Sequence, residues 1–195
     1  MKKLEPNSIE NIVALPPLQE GILFHYLQDP QSQVYFEQLS LEISGEINST
    51  HFEKAWNAVI KTNEMLRTVF RWEKVDNPVQ IILKEHKFHP RYIDLRGSDA
   101  DVKKKRLEEI KRKDLQEKFD LHEVPFRVTL CKIDEAKYTM IISNHHILYD
   151  GWSTGVILKE FFKTLHLLSH GGRSPKLAVK PSFNEFVKWT QNLDI

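Results

Sequence analysis

The 195-residue sequence predicts an α/β (α+β) domain built as a two-layer sandwich, a mixed β-sheet with helices packed on one face. Two observations carry this. Alternating apolar runs at 126–133 and 137–144 are separated only by Asp134-Glu135-Ala136, which is hairpin spacing. Segments of helical period, 52–63 and 152–168, follow strand-like runs, so helical crossovers accompany the hairpins. One face of such a sheet takes the helices. The other needs a cover that the pattern does not supply.

Taken in order, residues 1–14 read as a polar, poorly patterned lead-in, and the domain as 15–195. Pro16 and Pro17 open a helix to about Gln28, with Leu18, Ile22 and Tyr26 on one stripe. Residues 33–44 form a strand, since Leu39, Leu41 and Ile43 alternate with polar neighbours. Thr50 and Glu53 have capping-box spacing ahead of a helix whose face carries Phe52, Trp56, Val59 and Asn63. Arg67 to Trp72 and Pro78 to Leu83 pair as strands through a turn at Asp76-Asn77. Residues 99–118 make a charged helix with a weak apolar stripe. After the hairpin at 126–144, a helix beyond Gly151 carries Ile157, Phe161, Leu165 and Leu168. Gly171-Gly172-Arg173-Ser174-Pro175 reads as a flexible link, and a short helix starts near Ser182 with Phe186 and Trp189.

Composition narrows the function. With 28 Lys and Arg against 27 Asp and Glu, no global field favours nucleic acid or an anionic membrane. The run Lys103-Lys104-Lys105-Arg106 is followed by Glu108 and Glu109, as on the solvated face of a helix. Cys131 is the single cysteine, which rules out an intrachain disulfide and a cysteine-based metal site. No long apolar stretch suggests a membrane span, and residues 1–15 do not read as a signal peptide. A reduced, cytoplasmic protein is expected.

The chemistry concentrates at His145-His146-Ile147-Leu148-Tyr149-Asp150-Gly151. A strand delivers two histidines to its C-terminal end, where reactive side chains commonly sit. Histidine is the side chain best matched to proton transfer near neutral pH. Successive residues on a strand point to opposite faces, which argues against both histidines binding one metal ion. Asp150 has the spacing of a carboxylate that could orient His146.

Extended through Trp152-Ser153, this stretch resembles the HHxxxDG motif of condensation domains in nonribosomal peptide synthetases. Three further stretches resemble that family's motifs in the expected order: Leu18-Gln19-Glu20-Gly21-Ile22-Leu23-Phe24-His25, Glu64-Met65-Leu66-Arg67-Thr68-Val69-Phe70 and Phe183-Asn184-Glu185-Phe186-Val187-Lys188-Trp189. The chain departs from the pattern at Pro16, where a polar residue is usual, and at Thr62-Asn63, where a basic pair is usual.

The resemblance implies a chloramphenicol acetyltransferase-like lobe. The sequence corresponds to the N-terminal lobe, and a C-terminal lobe would wall the far side of a tunnel. It implies amide formation between a donor acyl or peptidyl thioester and the amine of an acceptor aminoacyl thioester. Both are carried by phosphopantetheine on carrier domains, so this lobe itself would bind no cofactor and no metal. The partners implied are the C-terminal lobe, upstream and downstream peptidyl carrier domains and an adenylation domain. His146 is the implied catalytic histidine, as proton acceptor or as positioning group. The amide of Gly151 is an implied contact to the reacting carbonyl, and its lack of a side chain would allow a sharp turn. His145 is implied to be structural, and Asp150 to pair with Arg67 and so support the site. Trp152 and Ser153 adjoin it, Trp152 as packing and Ser153 as a possible helix cap. Trp152 after Asp150-Gly151 favours condensation over epimerization, and the first motif leans towards a D-configured donor. Two alternatives stay open: a carrier-independent acyltransferase using acyl-coenzyme A, and a non-catalytic docking or scaffold module. Without its second lobe the chain is expected to be inactive.

Overall fold

The structure is a computed structural model that describes residues 4–29, 32–173, 175, 177–178 and 180–192. Its strands are β1 (Ile9–Ala14), β2 (Phe36–Ser44), β3 (Thr68–Arg71), β4 (Val79–Leu83), β5 (Arg91–Asp94), β6 (Phe126–Asp134) and β7 (Lys137–His145). Its helices are α1 (Pro17–Gln28), α2 (Ser49–Thr62), α3 (Ala100–Gln116), α4 (Gly151–Ser169) and α5 (Phe183–Gln191). The mixed α/β class is as expected. The strands divide between two sheets: an antiparallel one of order β1-β4-β3 and a mixed one of order β2-β7-β6-β5. The hairpin β6–β7 forms as predicted, as does the β3–β4 pair.

The mixed sheet is covered on both faces. Its inner face carries Val128, Leu130, Met140 and Ile142 into the main core with α2 and α4. Trp56 of α2 stacks on Phe161 of α4 with ring centroids 4.3 Å apart, and both are fully buried. The opposite face places Cys131 and Ile141 with Leu95 against Leu107 and Ile110 of α3. The weak stripe of α3 is thus a real packing face. Its apolar part is two side chains spaced i,i+3, and Asp114 one turn further on extends the contact by accepting from Arg127 and Ser143 of the sheet. β7 is buried from Tyr138 to His145, as a strand sandwiched on both sides must be.

Several local expectations need correction. Residues 9–14 are not lead-in: they pair antiparallel with β4, and Val13 packs with Ile82 and Val187. The segment hides from pattern reading because adjacent polar residues, Glu10-Asn11, break the alternation and leave only a short apolar run from Ile12 before the prolines. Residues 1–3 and 193–195, at the ends of the two expected domain segments, lie outside the described residues. In α1 the buried side chains are Gln19, Ile22 and Leu23, while Leu18 is exposed. The cap of α2 is Asn48, whose side chain accepts from the His51 N–H at 3.1 Å, so the Thr50–Glu53 box is not used. β5 is a short parallel edge strand with no alternation to announce it.

The stretch after α4 begins as a helix stop. Gly171 has φ +75°, and its N–H donates to Leu168 O while the Gly172 N–H donates to Leu167 O at 2.9 Å. This is the paired hydrogen-bond closure that a left-handed residue permits. Ser174, in the same expected link, lies outside the described residues.

Candidate active site

β7 ends at His145, paired across the sheet with Phe36 of β2. The two histidines then diverge. The His145 ring is buried against Tyr26 and Tyr35, and its Nδ1 accepts from the Ile147 N–H at 3.2 Å. Burial, with a smaller contribution from neighbouring His146, pulls its pKa down to about 4. His146 sits one residue beyond the strand, its N–H donating to Tyr35 O at 2.8 Å. Its side chain is 34% exposed and lines a cleft of about 810 Å³. The cleft lies among the start of α1, the turn at Glu64–Arg67, β4, residues 146–150 and the segment leading into α5.

A buried pair of amides holds the floor of the loop. Gln19 Nε2 donates to Ile147 O at 2.7 Å, and Gln80 Nε2 donates to Gln19 Oε1 at 2.8 Å. The first motif is thereby tied to the histidine loop by a hydrogen bond that leaves no buried polar atom of Gln19 unpaired. The wall opposite is fixed by Glu64, which accepts the Phe183 N–H at 2.9 Å and so anchors α5. Lys180 bridges Asn63 and Glu160, the latter at 2.8 Å.

The expected Arg67–Asp150 pair is not formed. The Arg67 guanidinium hydrogen-bonds the Glu10 carboxylate and Leu83 O, so it pins β1 to β4. Asp150 is the N-cap of α4: its carboxylate accepts from the Ser153 N–H at 3.0 Å and from the Ser153 hydroxyl at 3.1 Å. Those bonds hold its pKa below the usual carboxylate range. The physical reason is local. A carboxylate at an N-cap meets unpaired backbone donors at once, whereas Arg67 found its partner on a strand that pattern reading overlooked. Ser153 therefore receives the cap and does not supply it.

Gly151 opens α4 without a left-handed φ, and a Cβ built on it would meet nothing within 4 Å. The chain turns earlier, at His146-Ile147, where the Leu148 N–H donates to His145 O at 3.0 Å, so packing within this chain does not demand glycine at 151. Trp152 is 90% exposed, so it packs against no core of this chain. Of the sequence-predicted residues, the cleft brings together Arg67, His146, Asp150 and Ser153. Glu37, whose Oε1 lies 3.0 Å from His146 Nδ1, was not visible in the sequence. It is one charged residue in an alternating strand, more than 100 positions from its partner. Among the described residues no group of three or more His, Cys, Asp or Glu is placed to hold a metal ion.

The chain belongs to the condensation-domain family, whose members' pattern it matches over residues 9–194. It is 34% identical over 192 residues to surfactin synthase subunit 2 of Bacillus subtilis (strain 168), covering 98% of this chain and 5% of that protein. It is 32% identical over 193 residues to bacitracin synthase 3 of Bacillus licheniformis, covering 98% of this chain and 3% of that synthase. The starter condensation domain of rhizomide synthetase has the same fold, with a TM-score of 0.82 at 24% identity over 93% of this chain. This chain spans 45% of that solved chain and a small fraction of the two synthases.

Proposed function

We propose that this chain is the N-terminal lobe of a nonribosomal peptide synthetase condensation domain and supplies the histidine that drives amide formation. The observation that carries the proposal is His146 at the end of β7, partly exposed to a large cleft within an HHxxxDG sequence. The substrates are a donor thioester and an aminoacyl thioester, each on the phosphopantetheine arm of a carrier domain. That arm is substrate, and the lobe holds no resident cofactor. The adenylation domain loads the carriers, and all act in the cytoplasm.

The acceptor amine attacks the donor carbonyl, the C–N bond forms and the C–S bond breaks. The amine must lose one proton and the departing sulfur must gain one. The His146 ring holds the amine in line through a hydrogen bond and takes its proton as the bond forms. The Gly151 N–H, at the N-terminus of α4, faces the developing oxyanion. His145 stays neutral and structural. Asp150 supports the loop as a helix cap, and Arg67 supports it by fixing β1 to β4. Ser153 borders the substrate, and exposed Trp152 meets the second lobe or the substrate. Open space beside Gly151 is where the reactants enter.

His146→Ala in the complete synthetase is expected to slow single-turnover amide formation by about two or more orders of magnitude. Product measured by mass spectrometry at a near wild-type rate would overturn the assignment.

A further inference from the structure

We propose that Glu37 is a positioning residue for His146, the carboxylate end of a hydrogen-bonded chain Tyr149–Asn144–Glu37 that sets the His146 ring in its Nδ1–H tautomer. The catalytic consequence rests on His146 being the reacting histidine. The tautomer itself does not.

The register of the mixed sheet creates the contact. Glu37 of β2 lies directly opposite Asn144 of β7, two residues before His146. Cross-strand partners of this kind share a face. Asn144 Nδ2 donates to Glu37 Oε2 at 3.1 Å, and the Tyr149 hydroxyl donates to Asn144 Oδ1 at 3.0 Å. Burial pushes the Tyr149 hydroxyl above its ordinary pKa, so it stays protonated. Each link therefore has a direction. A phenol donates, the amide oxygen accepts, the amide NH₂ donates, and the carboxylate can only accept.

The remaining carboxylate oxygen, Oε1, stands 3.0 Å from His146 Nδ1. The approach is bent, so it meets an ion-pair distance without meeting the angle of a straight hydrogen bond. Nδ1 is nevertheless buried and has no other hydrogen-bond partner among the described residues. A lone pair on Nδ1 would face a carboxylate with no water between them. A proton there turns the same contact into an attraction. Nε2 is then left with its lone pair, the form needed to accept a hydrogen bond or a proton from an amine. Asp150, which the sequence spacing offers for this task, is occupied by Ser153.

The test is ¹⁵N NMR of the labelled chain at a pH where the His146 ring is neutral, with its signals assigned by their loss in His146→Asn. The expected result is protonated Nδ1 and unprotonated Nε2. In Glu37→Gln, the new amide must offer its oxygen to the Asn144 NH₂, which turns its own NH₂ towards His146. The tautomer is expected to reverse to Nε2–H. In the complete synthetase the same variant is expected to lower kcat about ten- to a hundredfold with KM changed by less than about twofold. A merely structural glutamate would not move the tautomer. An Nε2–H ring in the wild type, or an Nδ1–H ring retained in Glu37→Gln, overturns the proposal. If Glu37→Gln does not fold, the wild-type spectrum alone decides. Nδ1–H in the wild type together with an active His146→Ala enzyme would preserve the positioning and remove the proposed function. Nε2–H with an inactive His146→Ala enzyme would do the reverse.

Discussion

His145 and His146 are chemically identical neighbours with opposite environments, and the difference is measurable. His145 is 7% exposed and its pKa is drawn from 6.5 to about 4 because burial disfavours the charged ring. The unfolded chain therefore takes up a proton there before the folded chain does. Stability contributed by neutral His145 is fully present above the unfolded value and is lost as pH falls through the window down to about 4. The full loss is on the order of 3 kcal/mol. Urea unfolding across this window should show a steeper decline for the wild type than for His145→Gln. Equal slopes would mean that His145 titrates alike in both states. The motif singles out His146, and the structure places its ring on the cleft. Its partner Glu37 was not, because a cross-strand neighbour exists only once β2 and β7 are in register.

At the scale of elements, Arg67 and Asp150 act on different parts of the fold. Arg67 ties the 3₁₀ turn before β3 to β1 and β4, and Asp150 starts α4. Asp150→Ala is expected to cost about 1 kcal/mol, the worth of an N-cap. A double-mutant cycle of Arg67 with Asp150 should give coupling near zero, whereas Arg67 with Glu10 should give about 1 kcal/mol. The second figure is modest because the Glu10 side chain is 41% exposed. Thermal unfolding of the two cycles checks it, and the reverse ranking would restore the pair that the motif suggests. Helices with long periodic faces, α2 and α4, were readable from sequence. β1 and β5 were not, since a strand of four to six residues without regular alternation has no period of its own and is made by its neighbours.

At the scale of the molecule, the cleft is bordered by side chains that this chain leaves uncovered. Leu18 and Phe186, which line it, are 75% and 47% exposed, and Trp152 and Trp189, next in sequence to lining residues, are more than half exposed. The proposed second lobe would cover these side chains and would also hold the acceptor in line. Without that wall the chain would keep its own core but lose positioning, which supplies on the order of 7–11 kcal/mol of barrier reduction in favourable cases. Given both loaded carriers, the chain alone is therefore expected to form product at least about a hundredfold more slowly than a two-lobed domain carrying it. Comparable rates would show a site complete within the chain, as in a self-contained or homo-oligomeric acyltransferase.

The sequence by itself determined the class of fold, the hairpin that carries the histidines, the helix that follows them and the family. Each of these is written in local periodicity or in a contiguous motif. Only the tertiary structure decided that α3 covers the second face of the sheet, that β1 belongs to the domain, and that Arg67 meets Glu10. It also decided that Asp150 caps α4 and that Glu37 faces His146. A charged side chain takes the nearest complementary group in space, and which group is nearest depends on strand register and on segments far away in the chain.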